Sequence, residues 1–146
     1  MANLKETNTQ EHRANYLDAL LLLFSYLPTE LHYTADSGRW SRAVMWLRDR
    51  YEDRYPHLFD DLSFSVQPGL YPYSKQVGEF LTLIQFGELV EVRNPGYALL
   101  HVMSEAQPKV RHRIQEQIGP ELPVLAKRMA EELLADQRAT IVVDQP

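Results

Sequence analysis

A mostly helical α+β fold follows from three features of this chain. Apolar residues recur at helical spacing in five stretches, only three short runs favour a strand, and turn residues punctuate the joins. Over 146 residues, 45% are hydrophobic and 24% charged, the balance of a folded domain with one core. We assign residues 1–136 to that single domain and residues 137–146 to a flexible tail.

The first helix is expected to start at Asn8 or Thr9, where Asn8 and Glu11 form a capping pair. Leu17, Leu20, Leu21, Phe24 and Leu27 then follow at helical spacing, Leu22 and Leu23 widen the stripe, and Pro28 stops it. Residues 29–38 are polar and read as a connection. A second helix is predicted over 39–55, with Trp40, Val44, Leu47, Tyr51 and Tyr55 on its buried face and Pro56 at its end. Residues 62–66 alternate apolar and hydroxyl side chains, which predicts a short strand, and Pro68, Gly69 and Pro72 then mark a loop.

Ser74 caps a third helix carrying Val77, Phe80, Leu81 and Ile84, with Gly87 placed for a left-handed C-terminal cap. Residues 88–92 and 97–102 are β-prone and flank Asn94-Pro95-Gly96, which predicts a hairpin. Ser104 with Gln107 opens a fourth helix ending at Gly119. Leu122, Leu125, Met129 and Leu133 make the stripe of a fifth. The apolar run Ile141-Val142-Val143 is either an edge strand or part of the tail, and we read it as tail.

A helix capped at the end of a loop and followed at once by a hairpin is the order of a winged helix-turn-helix domain, here with extra C-terminal helices. The third helix would be the reader and the hairpin the wing. The stretch 64–99 also resembles SocA-like (Panacea) antitoxin-type domains. The resemblance is carried by Phe64, the loop Gly69-Leu70-Tyr71-Pro72-Tyr73-Ser74, Val77 and Leu81, Gly87-Glu88-Leu89-Val90, and Tyr97-Ala98-Leu99. Leu70 and Tyr71 separate the Gly from the Pro, which departs from that pattern. The resemblance implies a winged-helix scaffold in a regulatory or toxin-neutralising role, in a mobile-element or phage setting.

Two surfaces are candidates for binding. On the reader helix and wing, Lys75, Gln76, Thr82 and Arg93 are the residues placed to contact DNA. Glu79, Glu88 and Glu91 bring the same face close to neutral, which weakens a phosphate-binding reading. On the second helix, Arg42, Trp46 and Arg50 stand four residues apart, opposite the core stripe, so both guanidinium groups could stack on the indole. Trp46 is open to three readings at this point: core covered by a loop or the last helix, a hot spot for a protein partner or a second copy, or a nucleic-acid contact.

Fifteen Lys and Arg against 20 Asp and Glu give a net charge of −5, spread evenly. Residues 1–73 hold seven cations and ten anions, and residues 74–146 hold eight and ten. A general polyanion binder is therefore disfavoured. The lack of cysteine excludes disulfides, thiolate zinc sites and a cysteine nucleophile. No Gly-x-Ser-x-Gly turn, phosphate loop or dinucleotide fingerprint occurs, and His57 with Asp60 and Asp61 lacks a second histidine at ligand spacing.

The expectation is a non-enzymatic, cofactor-free binding protein, either a transcription regulator or an antitoxin-like neutraliser. The alternative is a phage- or defence-related protein–protein adaptor that never meets DNA. The last helix could also support a homodimer. The most apolar run, 17–27, is about 11 residues against the roughly 20 a bilayer requires, so we expect a cytoplasmic protein without a membrane partner.

Overall fold

The computed structural model describes residues 14–93, 99–136 and 142–143. Among the described residues, five α-helices and a small antiparallel sheet form a mostly helical α+β architecture. Helix α1 spans Tyr16–Ser25, strand β1 His32–Thr34, helix α2 Ser37–Tyr51 and helix α3 Lys75–Phe86. Strands β2 (Val90–Arg93) and β3 (Leu99–Val102) follow, then α4 (Gln107–Ile118), α5 (Glu121–Ala135) and β4 (Val142–Val143). The strands lie in the order β2-β3-β1-β4.

Helix α1 is the hub. Its residues Ala19, Leu20, Leu22, Leu23 and Phe24 are buried, and it packs against α4 and α5. Its start differs from the expected one. Asn15 adopts an extended backbone and its side chain accepts from the Leu17 and Asp18 N–H groups, while Asp18 accepts from the Asn15 N–H. This reciprocal cap breaks any continuous helix running from Asn8. The Asn8–Glu11 pair itself lies outside the described residues. At the other end, Gln107 of α4 donates through Nε2 to the carbonyl of Leu27 (2.7 Å), just past the helix, and to that of Phe24 (3.3 Å), which also accepts from the Leu27 N–H.

Strand β1 falls inside the stretch read as a connection. It is three residues long, too short to show a period, and its partners come from distant parts of the chain: β3 through His32↔His101, Tyr33↔Leu100 and Thr34↔Leu99. The expected strand at 62–66 is absent. Ser65 and Tyr73 make one isolated bridge, and the ladder cannot extend, since α3 begins at Lys75 on one side and Pro72 removes a donor on the other.

Helix α2 begins two residues early, capped by Asp36, and stops at Tyr51 instead of Tyr55. A 3₁₀ turn over Pro56–Phe59 follows, leaving Tyr55 exposed. Helix α3 has the expected Ser74 cap, but Gly87 closes it with an extended backbone (φ −83°), not the left-handed one anticipated. Ala106, not Ser104, precedes α4, and it makes no side-chain cap.

Helix α5 buries its apolar stripe within the same chain, chiefly on α1. Val142 and Val143 pair with Tyr33 and His32, so those two residues form an edge strand and not a tail. The rest of the expected tail lies outside the described residues.

The core is organised around Trp40 of α2, whose ring stands 4.7 Å from that of Phe24, itself 5.5 Å from Phe80 of α3. A polar tie seats α3 on α2. The buried Ser41 hydroxyl donates to the Ser37 carbonyl (2.7 Å) and accepts from the Ser74 N–H (3.0 Å), and Ser74 in turn caps α3. No described helix is long and apolar enough to cross a membrane.

Candidate functional site

Burial of Val77, Phe80, Leu81 and Ile84 fixes which face of α3 looks outward. Lys75 and Thr82 are on that face, as expected of the four residues picked for DNA contact. The Lys75 ammonium lies 3.9 Å from the Glu79 carboxylate, so its charge is locally offset. Gln76 is turned aside: its Oε1 accepts from the Ser63 N–H and from the hydroxyls of Ser63 and Ser74. Arg93 ends β2, but its side chain and the hairpin turn at 94–98 lie outside the described residues.

Two residues on this face were not picked from the sequence. Phe86 is 86% exposed and Leu83 54% exposed. At ~100° per residue Phe86 comes round to about 20° from Lys75, so the helical wheel carried the signal. Both border a groove of about 650 Å³ that Leu21 of α1, Leu89 and Val110 of α4 also line. Lys109 and Arg113 also line it, together with Glu88.

The arginine-bearing face of α2 is organised differently from the expectation. Only Arg50 stacks on Trp46, at 4.8 Å from the ring centre, and its Nε also donates to Glu132 Oε2 of α5 at 2.9 Å. Arg42 instead covers Tyr71 of the 66–73 loop at 4.1 Å, and Arg48 covers Phe64 at 4.7 Å. Trp46 is half-buried against the core, between the buried and the partner-facing readings. Tyr71, at 74% exposure, is the more open aromatic of this surface. Arg42, Trp46 and Arg50 therefore share a helix face without forming one stack.

Trp46→Ala should cost about 2 kcal/mol, roughly half the loss for a fully buried Trp, because only part of the indole leaves water. Urea denaturation checks this. A loss near 4 kcal/mol would mean the indole is full core, and no loss would mean it only decorates the surface.

Tyr51 sits beneath this face. Burial first, then the Glu132 carboxylate, push its hydroxyl up to about 12. An unfolded tyrosine ionises near pH ~10, so above that value the unfolded chain sheds a proton that the fold retains. Its contribution to stability is full below pH ~10 and should be lost as pH rises towards about 12. Tyr51→Phe should flatten that decline in denaturant melts taken across the window. Part of it should persist through Tyr33, whose hydroxyl burial also raises.

The histidines are dispersed. His57 pairs with Asp60 and His112 with Glu116, each at 3.0 Å and exposed. His32 and His101 face one another across β1 and β3 with ring centres 5.5 Å apart. Among the described residues, no three His, Asp or Glu side chains gather to hold a metal ion. No family model, curated protein or solved structure matches the chain.

Proposed function

We propose that this chain is a non-enzymatic regulatory protein on a winged-helix scaffold, working in the cytoplasm by holding a protein partner on the outer face of α3. The order helix, strand, helix, helix, hairpin supports the scaffold, as does the pairing of β1 with β3, which joins the hairpin into a larger sheet. The SocA-like resemblance over 64–99 points the same way and favours an antitoxin-like neutraliser.

The observation that carries the choice of partner is Phe86. A DNA reader brings cations to set its register on phosphates, and this one brings its most exposed large apolar side chain instead. DNA binding is the second reading, favoured by Lys75, Thr82 and Gln85 sharing the outward face.

A salt-titrated mobility-shift assay on genomic DNA fragments, run beside affinity capture from the source cell, separates the two. The protein reading expects no retention on DNA even at low salt, and a captured protein that Phe86→Ser releases. Salt-sensitive DNA binding that Lys75→Glu abolishes would overturn it.

A further inference from the structure

We infer that the groove between the end of α3 and α4 takes an acidic, amphipathic helix from the partner protein. This rests on the protein-partner reading above and specifies the chemistry of the partner. The groove, about 650 Å³, is lined mainly by apolar side chains. Leu83 and Phe86 of α3, Leu21 of α1 and Val110 of α4 line it, which gives bulky apolar side chains of a partner a surface to bury against.

The rim supplies the sign of the charge. Lys109 and Arg113 lie four residues apart on α4, about 6 Å along its axis, and both line the groove against the single carboxylate of Glu88. Asp18 acts on Arg113 electrostatically, but it is held in the α1 cap and does not line the groove. Lys109 is in the first turn of α4, where the helix dipole disfavours a cation. A basic rim on a chain of net charge −5 complements carboxylates spaced one helical turn apart.

The backbone decides between a helix and an extended segment. The groove is lined by residues of α1, α3, α4 and the links beside them and by none of the strands, so an extended peptide would find no strand there to pair with. A helix brings its own hydrogen bonds and offers side chains at i, i+4 and i+7. A second copy is a poorer occupant. A two-fold contact places the same patch on both sides, which would set Lys109 and Arg113 against their own counterparts.

The test uses the full chain and two synthetic amphipathic peptides of about four turns (~14 residues), with Leu on one face and either Glu or Lys on the flanks. Fluorescence anisotropy at low salt should show the Glu peptide binding at least about tenfold tighter than the Lys peptide. Phe86→Ser, at an exposed position, should weaken it by about tenfold or more. The double variant Lys109→Glu with Arg113→Glu should reverse the preference between the peptides.

Equal affinity for both peptides, binding of neither, or indifference to Phe86→Ser would each overturn the inference. So would a concentration-dependent dimer that Phe86→Ser dissolves. If the peptides fail while a cellular protein is still captured through Phe86, the inference falls and the protein-partner reading stands.

Discussion

Trp40→Ala should remove about 3–5 kcal/mol of stability, the range for truncating a fully buried Trp. A domain of this kind holds only ~5–15 kcal/mol in all, so a large part of the margin goes. Trp40 is 1% exposed and touches the ring system that links α1, α2 and α3. Its Nε1 also donates to the Thr34 carbonyl at 2.6 Å, tying α2 to the end of β1. Alanine thus leaves a cavity and a buried acceptor without a donor.

Trp40→Phe separates the two effects. It keeps much of the apolar volume, loses the N–H, and should cost about 1–3 kcal/mol. Thermal melts should show the alanine variant lower by roughly 10 °C or more. A loss below ~1 kcal/mol for alanine would mean the aromatic cluster is not the centre of the core.

Ser41→Val is the second large effect, and it bears on function. The Ser41 hydroxyl is wholly buried and stands between the Ser37 carbonyl and the Ser74 N–H. Valine adds a methyl group to a wholly buried site and accepts nothing, so it crowds the joint and strands the Ser74 N–H, the stranding alone costing about 1–3 kcal/mol. Ser74 is the cap of α3, and the loss should loosen the seating of that helix on α2.

Ser41→Thr adds the same methyl but keeps the hydroxyl, so the difference between the valine and threonine variants, about 1–3 kcal/mol, isolates the stranded N–H. Amide exchange resolves the claim further, since the N–H groups of Ser74 and Val77 should exchange faster in the valine variant than those at the centre of α1. Uniform acceleration through all helices would mean that Ser41 acts on global stability and not on the α2–α3 joint.

The helices were legible because each is long enough to show its period. The stripes of α3 and α5, and the Trp40, Val44, Leu47 and Tyr51 face of α2, are buried as their spacing implies. The strands were legible only where turn chemistry framed them, as in the hairpin. His32–Thr34 carries no local signal, and its identity comes from pairing with β3. Residues 62–66 carry a good local signal and no partner strand to satisfy it.

At the candidate sites, the helical wheel placed Lys75 and Thr82 on an exposed face and misjudged the surroundings of several other side chains. Gln76 looks exposed on a wheel, yet three donors from Ser63 and Ser74 hold its carbonyl oxygen. Arg42 has Trp46 one turn away in sequence, yet the loop delivers Tyr71 to it instead. Each of these depends on a loop or a neighbouring helix that periodicity cannot place.

The most direct measurement is photo-crosslinking in the source cell, with a photoreactive phenylalanine analogue at position 86. The protein-partner account predicts an adduct that resists nuclease and yields one discrete protein band. An adduct removed by nuclease, or none at all beside full occupancy of DNA, would contradict it.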